Sequence, residues 1–189
     1  DIYGLADEKL RNRLVLAPTN FSFIAMVACM IELDGEEKVL DWLTKINGLG
    51  YGEYPKNSPQ VAAVVSGELD IGMINHYYTL RVLAENGDEP IKNVYLNEGC
   101  GAMVMPAGVG ILSSSQNKSA ALEFIEFLHS KSVQETFTNT VYEFPLVVGI
   151  QPNTLLPDIN SLNTPPSLDW SVLSLWQEKA VELIAQAGF

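Results

Sequence analysis

The chain has too little of several things to belong to several common classes. Its two cysteines, Cys29 and Cys100, are too few for a disulfide framework, and no C-x-x-C or Cys/His cluster suggests zinc. Cys29 lies in the apolar stretch 24–31 and reads as a buried small hydrophobe. Pairing with Cys100 stays open, so cysteine alone does not fix the redox compartment. Basic residues are scarce, 11 Lys and Arg against 23 Asp and Glu, for a net charge of −12. A phosphate backbone demands clustered Lys and Arg, so this balance argues against nucleic acid as a partner. The acidic residues are scattered and read as a solvated surface that attracts cations over distance. No apolar run approaches the roughly 20 residues that span a bilayer.

Catalytic signatures are missing as well. There is no G-x-S-x-G elbow, no P-loop and no H-E-x-x-H, and His76 and His129 are the only histidines. His129 follows an apolar helix face and reads as a favourable charge at a helix end. The opening DIYGLADEKL has no basic or apolar leader region and no initiator Met. It is expected to be a loop cut from something longer.

What is present is an alternation of strand and helix. A short strand is expected over 13–17, closed by Pro18, then a helix over 22–32 capped from Thr19, Asn20 or Ser22. A second helix over 36–47 carries Val39, Leu40, Trp42, Leu43 and Ile46 as an apolar stripe. GLGYGEYPKNSP reads as a loop, followed by a helix over 58–66 with Ser58 as cap and Pro59 at its first position. Residues 69–74 have the length and apolarity of a strand, and a helix runs from 76 to 85 with Gly87 as its stop. Further strands are expected over 92–96, 101–105 and 109–112. Helices then follow over 119–128 and 133–139, a Pro-rich connector over 142–167 and a last helix over 172–187. This order points to βαβ units and an open α/β sheet.

Within DIGMINHYYTLRVL, residues 70–83, two tyrosines stand side by side where strand becomes helix. In a strand, neighbours point to opposite faces; at the turn that alternation stops and adjacent side chains can converge. Asn75 as cap places Tyr77 and Tyr78 in the first helical turn, where the helix dipole favours phenolate over phenol. A hard trivalent cation such as Fe³⁺ prefers anionic oxygen and displaces the phenolic proton. Packing of the two rings against neighbours is the simpler reading of the pair taken alone. PTNFS, KNSP and INHYY each open a helix with small polar residues, and helix N-termini attract anions. PTNFS and INHYY follow strands, so both should sit at the carboxyl edge of the sheet, where open α/β sheets place their ligands.

LAPTNFSF at 16–23, GEEKVLDWL at 35–43 and YPKNSPQVAAVVSGELDIGMINHYYTLR at 54–81 continue in order into GAMVMPAGVGILSSSQNKSAALEFIEFL at 101–128 and YEFPLVVGI at 142–150. In this order and spacing the whole chain resembles the ferric-ion-binding solute-binding proteins of bacterial ABC importers. The resemblance implies that Tyr77 and Tyr78 bind Fe³⁺ through phenolate oxygens. It also implies a synergistic anion, phosphate or carbonate, held by Asn20, by Phe21 and Ser22 mainly through backbone N–H, and by Asn57 and Asn75. By position, His76 reads equally as a residue supporting the tyrosines from behind or as a solvent-exposed residue at the helix start. The implied fold is a type II periplasmic-binding-protein lobe, an open mixed sheet flanked by helices, with an incomplete portion of a second lobe. Residues 1–104 and 157–189 are expected to form the lobe with the tyrosine pair, and 105–156 to belong to the other, N-terminally truncated lobe.

The chain departs from the family pattern in three places. Roughly the first third of a full-length member is absent. Phe21 and Phe23 occupy a loop where some members have Tyr, and the common E-Y-P-L reads Glu143-Phe144-Pro145-Leu146. The 105–156 segment is accordingly expected to expose apolar surface and to rearrange, to self-associate with another chain, or to rest on a separately present fragment. The function implied is capture of Fe³⁺ outside the cytoplasm, in the periplasm or at the cell surface, and delivery to an ABC permease, with no chemical turnover. The alternatives are a binding protein for another small ion or anion, and the ligand-sensing domain of a transcription regulator.

Overall fold

The computed structural model describes residues 1–162 and 170–189. The chain divides into two compact units, Asp1–Met103 with Leu162–Phe189, and Val104–Ser161.

The first unit is built on a three-stranded parallel sheet in the order β2-β1-β3. The strands are β1, Leu14–Leu16; β2, Tyr51–Glu53; and β3, Ile71–Gly72. Leu14 pairs with Tyr51 on one side and with Ile71 on the other. All three residues of β1 are fully buried, as a central parallel strand covered on both faces requires. The ladder on β1 ends at Leu16, and Pro18 two residues on has no N–H with which to continue it.

Helix α1, Phe21–Asp34, follows β1, and Gly35 at φ 86° turns the chain into α2, Glu36–Leu49. A left-handed φ of this kind costs glycine nothing and other residues much. α1 is apolar through its middle, burying Val27, Ala28, Cys29, Met30 and Ile31. α2 shows the expected stripe, with Val39, Trp42, Leu43 and Ile46 buried. The C-terminal helix α7, Trp170–Gln186, packs on α1 and α2 and closes the core with Ala180, Leu183 and Ile184. Helices α3, Asn57–Val65, and α4, His76–Asn86, complete this unit. Gln60 is buried in α3, with its side-chain nitrogen oriented toward the carbonyls of Val15 at 2.9 Å and Met73 at 3.2 Å. It thereby ties α3 to β1 and to the residues leaving β3.

Several expectations need correction. The stretch read as a loop before α3 contains β2, whose three residues gain strand form only by pairing with β1. β3 is two residues long, Ile71 and Gly72 pairing with Leu14 and Val15. Residues 92–96, 101–105 and 109–112 are not strands: the chain there is irregular, with one 3₁₀ turn at Gly99–Ala102. A β-prone run stays irregular when no neighbouring strand accepts its backbone groups. α3 begins one residue before Ser58, which makes no cap bond. Cys29 is buried, as expected of a small hydrophobe, but is bonded to Cys100 with a Cα–Cα distance of 5.8 Å. This bridge fastens the 3₁₀ turn to α1.

The second unit contains α5, Lys118–Leu128, and α6, Lys131–Thr136, with α6 widening into a π turn over Phe137–Val141. His129 closes α5 with its Nδ1 at 2.8 Å from the Ile125 carbonyl. Thr138 is buried, and its Oγ1 accepts from the Asn153 N–H at 2.9 Å. α5 buries none of its residues, and Leu122, Phe124 and Phe127 are each more than half exposed. The Pro-rich connector is irregular through Leu162 apart from a 3₁₀ turn at Ile159–Ser161, and its residues 163–167 lie outside the described ones.

Candidate functional site

Each strand of the parallel sheet hands its carboxyl end to a helix that starts with asparagine at or next to its cap. β1 leads to α1 through Asn20, β2 to α3 through Asn57, and β3 to α4 through Asn75. The three helix starts therefore lie along one edge of the sheet, with their N-terminal dipole ends on that edge. Sequence spacing anticipated two of these junctions directly; the third depended on recognising β2.

The tyrosine pair lies at the third junction. The rings of Tyr77 and Tyr78 are 4.5 Å apart between centroids and tilted by 33°. Both belong to the first turn of α4 and not to β3, so the strict alternation of a strand does not send them to opposite faces. Asn75 occupies the cap position but makes no side-chain cap bond. Its Nδ2 instead donates to the Tyr77 hydroxyl at 3.2 Å, so the cap residue steadies a phenol oxygen. His76 meets the Tyr77 ring edge-on at 5.5 Å.

The other expected residues are placed unevenly. Asn20 caps α1 through its Oδ1, which accepts the Ser22 N–H at 2.9 Å. Phe21 is 66% exposed, so its ring plays no part in the core. Asn57 is 4% exposed, largely covered.

Three residues outside the expected set complete the surroundings. The Arg81 guanidinium lies over both rings, 5.1 Å from the Tyr77 centroid and 4.9 Å from that of Tyr78. Its Nε is buried without an acceptor among the described residues, a cost of about 1–3 kcal/mol for a polar group removed from water. Asn93 reaches in from the irregular stretch after α4. Its Nδ2 lies 2.9 Å from the His76 carbonyl and 3.2 Å from the Tyr95 hydroxyl, donating to both. Burial pushes the Tyr95 phenol above its usual range, and the Asn93 bond opposes that in part. Arg81 was readable from helical spacing, since it lies four residues after Tyr77 and three after Tyr78. Asn93 and Tyr95 carry no such local signal.

Chemically, the arrangement is a pair of converging phenols beside polar helix starts. Among the described residues no group of three or more His, Cys, Asp and Glu side chains comes together as a metal site. Phenolate oxygen is an anionic donor of the kind hard cations prefer. Among the described residues, no helix is long and apolar enough to cross a membrane.

Comparison with known proteins gives a consistent result. The profile of a family described as bacterial extracellular solute-binding protein matches residues 4–174. The chain is 34% identical over 190 residues to the major ferric iron-binding protein of Neisseria meningitidis serogroup B, covering 99% of this chain and 56% of the relative. It is 34% identical over 191 residues to the Fe(3+)-binding periplasmic protein of Serratia marcescens, covering 99% and 55%. The crystal structure of iron-bound HitA from Pseudomonas aeruginosa matches with a TM-score of 0.91 at 29% identity, covering 100% of this chain and 61% of that one. The chain thus spans a little over half the length of the curated relatives it matches.

Proposed function

This chain belongs to the family of bacterial extracellular solute-binding proteins, and from that premise we propose that it captures Fe³⁺ outside the cytoplasm through Tyr77 and Tyr78. The observation that carries the reading is the convergence of the two phenol rings at the N-terminus of α4. Two phenolates offer hard anionic oxygen, which suits a trivalent cation better than the thioether and amide groups elsewhere in the unit. The positive end of α4 offsets their charge. Binding transfers no group and breaks no bond of a substrate; it exchanges phenolic protons for the metal.

A synergistic anion, phosphate or carbonate, is assigned to the helix starts at Asn20, Phe21 and Ser22, at Asn57, and at Asn75. The Ser22 N–H is held by Asn20 and Asn57 is nearly covered, so anion binding there replaces contacts that already exist. Delivery of the iron to an ABC permease follows from the role of such binding proteins in import. A disulfide between Cys29 and Cys100 suits the oxidising conditions outside the cytoplasm.

The test is the visible spectrum of the purified protein after addition of ferric iron with phosphate or carbonate. Phenolate-to-iron charge transfer should colour the complex, and Tyr77→Phe together with Tyr78→Phe should abolish the band. A wild-type protein that stays colourless with both anions would sink the ferric reading.

A further inference from the structure

We propose that Arg81 is a positioning residue for the tyrosine pair: its guanidinium, spread over both rings, sets the spacing and tilt at which the two phenol oxygens are presented to the metal. The inference rests on the ferric reading for its consequence, but its structural content is independent of iron.

Helical geometry alone does not bring the two rings together. Consecutive residues of an α-helix are separated by about 100° around the axis, so they do not face each other. Tyr77 and Tyr78 nonetheless have centroids 4.5 Å apart. Arg81 is the residue of α4 that neighbours both, at four positions from one and three from the other. Helical side chains lean toward the N-terminus, which carries Arg81 back over the turn that holds the tyrosines. The observed guanidinium lies within the roughly 6 Å range of a cation–π contact to each ring, at 5.1 Å and 4.9 Å.

The alternative for a long cationic side chain on a partly exposed helix is to send its head into water. Arg81 is only partly exposed, and its Nε is buried without an acceptor among the described residues. What the guanidinium lies against is the two aromatic faces. A planar, delocalised cation can cover two tilted rings at once, whereas a lysine ammonium is a point charge that can sit over one. Asn75 fixes the Tyr77 hydroxyl from the other end, so the rings are held both at the oxygen and over the face.

The test uses Arg81→Met, which removes the charge and the planar group, and Arg81→Lys, which keeps the charge. Near-UV circular dichroism of the metal-free protein reports the mutual orientation of the tyrosine rings. The ferric charge-transfer band and the iron dissociation constant report the oxygens. If Arg81 spans the pair, both variants keep parent-like far-UV spectra and change the near-UV tyrosine signal. Both also shift the ferric band and bind iron about tenfold more weakly, the scale expected for two partly exposed cation–π contacts. Parent-like near-UV and ferric spectra in Arg81→Met overturn the proposal. A parent-like Arg81→Lys beside a weakened Arg81→Met also overturns it, since charge without the planar span would then suffice. Should Arg81→Met fail to fold, Arg81→Lys alone decides on the same readouts. A colourless parent protein counts against the ferric reading, and the metal-free spectra then decide the Arg81 proposal by themselves.

Discussion

The side-chain amide of Asn75 donates to the Tyr77 hydroxyl at 3.2 Å, although Asn75 stands at the cap of the helix that carries the tyrosine. Asn20, at the equivalent position of α1, uses its oxygen as a cap for the Ser22 N–H. Two asparagines with the same sequence signature therefore do different work. Asn20→Ala should cost about 1 kcal/mol of stability, the usual effect of losing a cap bond, and Asn75→Ala less than about 0.5 kcal/mol. Urea unfolding of the two variants checks this. In the ferric assay the order should reverse, with Asn75→Ala the more harmful to the intensity of the charge-transfer band.

The Cys29–Cys100 bridge joins residues 71 apart in the sequence. By chain-entropy reasoning, closing a loop of that length lowers the freedom of the unfolded chain by about 4 kcal/mol. Both cysteines are at most 4% exposed, so a reductant should not reach them while the protein is folded. Mild reductant without denaturant should leave thiol titration near zero. The Cys29→Ala, Cys100→Ala double variant should unfold at a clearly lower urea midpoint than the oxidised parent. An equal midpoint would show that the bridge adds nothing to the unit.

Tyr3 donates its hydroxyl to Asp34 Oδ2 at 2.7 Å, and burial, followed by that carboxylate, raises its ionisation well above the ordinary tyrosine range. The folded state thus keeps a proton that the unfolded state releases near pH ~10. Stability from this group is complete below that pH and declines as pH rises toward the folded value. Tyr3→Phe should lose about 1 kcal/mol at neutral pH and show a shallower alkaline decline in urea midpoint. The decline should not vanish, because Tyr51 and Tyr95 are shifted the same way.

Much of the first unit was legible because its elements are fixed by local pattern. The stripe Val39, Trp42, Leu43, Ile46 identifies α2, and Pro18 and Gly35 mark where β1 and α1 end. The runs at 92–96, 101–105 and 109–112 misled because a strand is a relation between two segments, and only pairing decides it. β2 was missed for the mirror-image reason: glycines and Glu53 make it a poor strand in isolation, and β1 makes it one. At the site, the junctions at Asn20 and Asn75 and the adjacency of Tyr77 and Tyr78 could be read from sequence. The roles of Asn93 and Tyr95 could not, since an irregular stretch leaves no period to count. The bonded state of Cys29 and Cys100 lay beyond pattern altogether, because burial and pairing give the same apolar neighbourhood.

Gln60 is fully buried at the junction of α3, β1 and the segment leaving β3. Its amide nitrogen faces the carbonyls of Val15 and Met73, the second of which lies two residues before Asn75. Met73 also gives its own N–H to the Val15 carbonyl at 3.2 Å, so Gln60 adds a second restraint where the chain turns toward the tyrosines. Gln60→Leu keeps the approximate volume but leaves the Val15 and Met73 carbonyls without this donor. The expected cost is about 1–3 kcal/mol, the range for buried polar groups deprived of a partner. Gln60→Glu should cost more, since it presents a carboxylate to two carbonyls and must take up a proton to stay buried. Its unfolding midpoint should therefore rise as pH is lowered toward 5, opposite in sense to a surface carboxylate that is paired when ionised. If Gln60 steadies the approach to α4, the near-UV tyrosine signal of Gln60→Leu should change before the protein unfolds, at urea concentrations where far-UV ellipticity is still intact. Simultaneous loss of both signals would place Gln60 in the general core and deny it any special hold on the tyrosine turn.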